Sequence, residues 1–138
     1  MKGKKQMLKQ TEYWLKEAFD NYETAQILIN NKKYIEAAFF CHLTLEKIIK
    51  AFITDRTKQL PPKSHNLLLL LEKASLKSEL GEEQMDFLAN MNLYQIEGRY
   101  PGDREVLYQQ TSVDEFNDIF KRTGVELEWL EQKLKSEQ

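Results

Sequence analysis

Three residues of this chain combine types and spacing that could do chemistry. His42, Glu46 and Lys50 stand at i, i+4 and i+8, a spacing that stacks side chains along one face of a helix. An imidazole, a carboxylate and an amine in one row can pass protons or hold an anion. His42 and Glu46 also have the spacing of two metal ligands on a helix, but a metal site needs further donors. The plainer reading is a polar cluster at the edge of a core, with His42 and Glu46 hydrogen-bonded to each other and met by His65 from the turn that follows. Lys47 and Lys50 are candidates for contact with an anionic ligand, set against a solvated or ion-paired role.

A second group lies in the stretch 98–110. Arg99 and Arg104 flank Pro101-Gly102-Asp103, a turn-forming sequence that can hold both guanidiniums toward one anion. The guanidinium fork suits carboxylates equally well, so Glu97, Asp103 or an acid on a neighbouring helix can engage these arginines instead. Tyr100 is able to stack on a base, although it is expected to tuck into the core behind Pro101. The stretch shows neither helical nor strand periodicity and reads as a long loop, of the kind that often carries function. Arg99, Tyr100, Asp103 and Arg104, with Lys47 and Lys50, form the candidate ligand-binding set. No residue is assigned a catalytic role, and no metal or cofactor is expected.

The elements that must position these groups are all helical. The chain has 138 residues with only five Gly and three Pro, too few turn-formers for a β-sandwich. Leu15, Ala18, Tyr22, Ala25 and Ile29 step by three and four, predicting a helix from about residue 8 to Asn30. Asn30-Asn31 is expected to end it, because Asn tolerates the left-handed conformation. Tyr34, Ala38, Cys41, Leu45, Ile48 and Phe52 predict a second helix from near Lys32 to about Thr57, paired with the first as a hairpin. Pro61-Pro62 forces a turn, and Ser64 is placed to cap a third helix holding Leu67–Leu71 and Leu76. A fourth helix follows Gly81, with Glu82 and Glu83 in its first turn. Ser112 and Glu115 make a capping box for the last helix, whose stripe is Val113, Phe116, Phe120, Leu127, Leu130 and Leu134, with Thr123 at the missing step. Gly124 inside that helix costs roughly 1 kcal/mol relative to Ala, a cost that suits a site where another helix comes close. The expected architecture is an all-α, up-and-down four-helix bundle with one additional short helix. It forms a single domain over 1–138 with an ordered core of about 8–135.

Composition narrows the partners. A formal charge of −2 and a pI near 5.8 give no global attraction to nucleic acid or anionic membrane. The lone Cys41 excludes an internal disulfide framework, and its place on the apolar stripe makes it a small buried hydrophobe. Lysines 2, 4, 5 and 9 have no apolar stretch behind them long enough for a signal peptide or membrane span. A cytoplasmic protein without a membrane partner is expected. The Leu67–Leu71 run and the broad stripe of the first helix offer apolar surface for a homodimer.

The ordered set Trp14 and Ala18, Tyr34, Ala37 and Phe39, His42 with Glu46-Lys47 and Lys50-Ala51, Pro61 with His65-Asn66-Leu67, and Tyr94 with Arg99-Tyr100-Pro101 resembles the HEPN domain (higher eukaryotes and prokaryotes nucleotide-binding). The resemblance runs from about Trp14 to Trp129. It implies a helical bundle that pairs with a second copy and often works beside a minimal nucleotidyltransferase. It is also similar to the substrate-binding region of kanamycin nucleotidyltransferase. Many members are RNase toxins of toxin–antitoxin pairs that use Arg-x4-6-His. This chain departs there: no arginine is followed by His at that distance, and His65 stands nine residues after Arg56. The expected role is therefore a nucleotide- or RNA-binding accessory subunit that dimerises and partners a nucleotidyltransferase in a toxin–antitoxin-type system. Two alternatives remain: a divergent ribonuclease using Arg99 or Arg104 with a group such as Tyr108, and a purely structural interaction module.

Overall fold

A computed structural model describes residues 6–97 and 100–138. Among them are six α-helices and no strand: α1 (Lys9–Asn30), α2 (Tyr34–Thr57), α3 (Leu67–Lys73), α4 (Glu82–Met91), α5 (Pro101–Gln110) and α6 (Val113–Ser136). Short 3-10 turns at Lys77–Glu79 and Asn92–Tyr94 flank α4. The all-α bundle is as expected.

α2 is the helix the rest is packed around. Its stripe residues Cys41, Leu45, Ile48 and Phe52 are buried, and so are Ala37, Thr44, Ile49 and Ile53 on its flanks. A helix buried nearly all round needs neighbours on nearly all sides. α1 and α6 supply two of them, and α3 and α5 also touch it. Ala18 and Ala25 are fully buried on α1, and their small side chains let the two long helices of the hairpin approach closely.

α6 closes the bundle. The Ser112 hydroxyl accepts from the Glu115 amide at 3.1 Å, and the Glu115 carboxylate accepts from the Ser112 amide at 3.3 Å. Phe116, Thr123, Leu127, Leu130 and Leu134 are buried, so Thr123 does occupy the missing step. Its hydroxyl donates to the Ile119 carbonyl at 2.7 Å, which satisfies it inside the core. A Cβ on Gly124 would lie 2.9 Å from Cζ of Tyr22 on α1, the close approach that the glycine implied. Tyr22 is held there by stacking on Phe120, with centroids 4.7 Å apart, and by donating to the Phe120 carbonyl at 2.9 Å.

Several local expectations need correction. The described part of the stretch read as a long loop, 100–110, is mostly helical, because α5 begins at Pro101; residues 98 and 99 lie outside the described residues. Proline suits the first helical position, and the Asp103 carboxylate accepts from the Tyr100 amide at 3.0 Å. Leu107 alone on α5 is buried, so one anchor in ten residues left no period to read. The cap of α3 is Asn66 rather than Ser64: Asn66 Oδ1 accepts from the Leu68 amide at 3.1 Å, while Ser64 Oγ accepts from the Asn66 amide. α3 ends at Lys73, and Leu76 is buried beyond it. At the end of α1 the left-handed residue is Lys32 (φ 62), not Asn30 or Asn31. The leucine run is mostly absorbed by the chain's own core, with Leu67, Leu70 and Leu71 buried, Leu68 packed against them and Leu69 left exposed.

Candidate functional site

The α2 row is built from the core outward. His42 is completely buried and Glu46 nearly so. Lys50 Nζ donates to Glu46 Oε2 at 3.1 Å, and His65 Nδ1 lies 2.9 Å from Glu46 Oε1. His42 Nδ1 is 3.8 Å from the same oxygen. One carboxylate thus gathers an amine and two imidazoles, bringing His42, Glu46 and His65 together. Neither ring nitrogen of His42 closes a well-formed hydrogen bond, although the His65 backbone and the Asn92 side chain approach it. Burial pushes the His42 pKa below the usual imidazole value, against the opposing pull of Glu46.

Both candidate lysines are engaged. Lys47 and Lys50 Nζ sit 5.3 and 5.4 Å from the ring centroid of Trp14 on α1, a cation–π arrangement in which one indole serves two ammonium groups. Lys50 is therefore bound on two sides, by Trp14 and Glu46, and is buried. Beside Cys41 no thiol chemistry is available. Burial pushes its pKa up to about 12, which holds the sulfur protonated. Among the described residues no three His, Cys, Asp or Glu side chains converge as a metal site requires.

The α5 group is arranged differently. Arg99 lies outside the described residues. Tyr100, expected in the core, is instead 81% exposed, in extended backbone just before the first turn of α5. Asp103 caps the helix, its Oδ2 accepting from the Tyr100 amide at 3.0 Å. Arg104 Nη2 donates to Glu36 on α2, the acid on a neighbouring helix that sequence reasoning left open. Burial pushes the Glu36 pKa up, but the hydrogen bond and charge of Arg104, with a backbone hydrogen bond and the charge of Lys33, together bring it below the usual carboxylate value. Tyr100, Arg104 and Tyr108 follow at steps of four: Tyr100 is the exposed residue before α5, Arg104 is half-buried against Glu36, and the exposed Tyr108 meets Phe116 edge-on with ring centroids 6.0 Å apart.

Sequence reasoning missed the part that four residues play here. Glu97 Oε2 lies 3.5 Å from His65 Nε2. Asn92 and Gln95, with His65 and Asn66, line an open surface depression of about 270 Å³. Trp14 entered as a residue widening the apolar stripe of the first helix and as part of the resemblance, not as a platform for cations. Asn92 opens the 3-10 turn after α4 and Gln95 closes it, positions that no helical stripe marks.

A family model, described as HEPN domain, matches residues 11–133. The chain belongs to the HEPN family. The match spans every helix described above except the first turn of α1 and the end of α6. No curated protein and no solved structure matches this HEPN chain. No helix among its described residues is long and apolar enough to cross a membrane.

Proposed function

We propose that this HEPN domain is a binding module for a nucleotide or single-stranded RNA. It pairs with a second copy and acts as the accessory subunit of a minimal nucleotidyltransferase in a toxin–antitoxin-type system. The observation that carries the reading is the pair of exposed tyrosines, Tyr100 just before α5 and Tyr108 on it, with the half-buried Arg104 between them in sequence. Bases stack on aromatic rings without regard to sequence, and a guanidinium between two rings suits the phosphate that links stacked bases. Glu36 takes one nitrogen of Arg104, and a guanidinium has donors to spare. The pairing with a second copy and with a nucleotidyltransferase is carried over from the family resemblance.

The test is a titration of a short fluorescent single-stranded RNA at fixed salt. Each base–aromatic stack contributes about 1–3 kcal/mol, so Tyr100→Ala with Tyr108→Ala should weaken binding by about tenfold or more. Arg104→Ala should weaken it and flatten its salt dependence. Unchanged affinity in the double variant, or a wild type that binds neither nucleotide nor RNA, would overturn the reading. Light scattering of the purified chain checks the second copy.

A further inference from the structure

α4, α5 and α6 border a cleft of about 340 Å³ that neither Tyr100 and Tyr108 nor the buried cluster around Glu46 lines. Its floor is apolar: Phe87 and Met91 of α4 and Leu107 of α5 are buried there, with Ile119 of α6 packed against them. A polar pair interrupts the floor. The hydroxyl oxygens of the buried Tyr94 and Thr111 are 3.0 Å apart. One donates to the other, so the accepting hydroxyl keeps a hydrogen of its own. No other side-chain hydrogen bond ties either hydroxyl to a described residue, which leaves that hydrogen for whatever occupies the cleft.

Charge gathers at the mouth. Arg122 of α6 holds its guanidinium carbon 4.3 Å from the Phe87 ring centroid, a cation–π contact that leaves its N–H donors free to bond elsewhere. Asp118 stands one turn before Arg122 and lines the same cleft, at a spacing that suits ion pairing. The two do not pair, and among the described residues neither forms any ion pair or side-chain hydrogen bond. The carboxamides of Asn90 and Gln110, also at the rim, are equally unbonded among the described residues. Glu115 adds a second carboxylate, whose Oε1 accepts from the Ser112 amide. Two acids beside one base repel a plain anion, and a phosphate most of all. A group carrying both signs satisfies both. The volume lies near the lower bound of ligand pockets, about 300 Å³. A single turn of a partner helix, about 10 Å across and about 5.4 Å long, already exceeds it.

We propose that this cleft binds a free α-amino acid with an apolar side chain. Its carboxylate takes N–H groups of Arg122, with the spare hydroxyl hydrogen of the Tyr94 and Thr111 pair as a further donor. Its ammonium meets Asp118, and its side chain covers Phe87, Met91 and Leu107. An α-amino acid carries its two charges on one carbon, as the cleft carries its free acid and base one helical turn apart; a peptide end offers only one of the two. The site is independent of the nucleotide-binding reading, whose tyrosines lie outside the cleft.

The experiment is a calorimetric titration of the full chain with L-leucine, L-methionine and L-phenylalanine at low salt, and saturable binding of at least one is expected. The N-acetyl derivative of that amino acid lacks the ammonium, and its amide derivative lacks the carboxylate. Each should bind about tenfold more weakly or worse, the scale of one lost charge-assisted hydrogen bond. Arg122→Gln should weaken the amino acid about tenfold and leave affinity for the amide derivative unchanged. Asp118→Asn should do the same with respect to the N-acetyl derivative. Both side chains are exposed, and thermal melting confirms that both variants fold. Absence of saturable binding by all three amino acids overturns the proposal, as does a wild type that binds either derivative as tightly as the parent. Variants that weaken the parent and both derivatives alike overturn it too, because neither charge then reads its counterpart.

Discussion

His42 shows what a single buried titratable group does to this protein. Burial lowers its pKa below 6.5, with Glu46 opposing. In the unfolded chain the same imidazole protonates near 6.5. Below that pH the unfolded state takes up a proton that the folded state refuses, so stability falls as the pH drops. The slope from this one group approaches about 1.4 kcal/mol per pH unit between the two pKa values. Replacing His42 by Leu removes it. Urea melts at pH 7 and pH 5.5 should show a smaller loss for His42→Leu than for wild type; an equal loss would place the acid sensitivity elsewhere. The cluster around His42 was partly legible beforehand, because a spacing of four fixes which side chains share a helix face. The meeting with His65 was readable only as a turn brought near by Pro61-Pro62. The contact with Glu97 and the placing of Asn92 and Gln95 were not readable, since residues outside the long helices reach a site by tertiary packing alone.

At the scale of elements, the contact between α1 and α6 sets two principles against each other at Gly124. Intrinsic propensity favours Ala over Gly in a helix by about 1 kcal/mol, so an isolated α6 would gain from Gly124→Ala. In the protein the new Cβ would press on Tyr22, 2.9 Å from Cζ. Tyr22 cannot swing away without losing its stack on Phe120 and its bond to the Phe120 carbonyl. Overpacking of this kind costs about 1–3 kcal/mol, so the net effect in thermal or urea denaturation is destabilising. Tyr22→Leu should relieve part of that penalty, giving a coupling that a double-mutant cycle detects; additive effects would show that no clash exists. The long helices were legible because each buries a stripe several turns long, and Gly124 was legible as a close approach because a mid-helix glycine otherwise has no reason to be there. α5 was not, because its helix rests on a proline, a capping Asp103 and one buried leucine. Tyr100 was misplaced for the same reason: without the helix, nothing showed that the residue before it faces outward.

Over the whole molecule, elements distant in sequence are tied together at Arg56. Its guanidinium donates to the Ala74 and Ser75 carbonyls at 2.9 and 3.0 Å, to Glu79 at 2.8 Å, and to Glu137 at 2.6 Å. The end of α2, the turn after α3 and the residue following α6 thus converge on one side chain. Lys133 of α6 adds a contact to Glu79 at 2.6 Å. Ser75 takes φ 58, and the bond from Arg56 to its carbonyl helps hold that left-handed turn. Because the side chain is largely buried and its bonds are charge-assisted, Arg56→Leu should cost on the order of 2 kcal/mol. Arg56→Lys should recover little, since an ammonium cannot span two carboxylates and two carbonyls in one plane. The knot also has a pH signature opposite in range to that of His42. Arg56 and Lys133 lower the Glu79 pKa to about 2, so its contribution is complete above the unfolded value near 4.5 and disappears as the pH falls through about 2. Acid melts should therefore separate the two effects. His42→Leu alters stability from neutral pH downward through the imidazole range, whereas Arg56→Leu lowers stability at neutral pH and removes sensitivity only below about 4.5. If Arg56→Leu instead left neutral-pH stability unchanged, the three-way junction would be a surface decoration, and the bundle would be held by its apolar stripes alone.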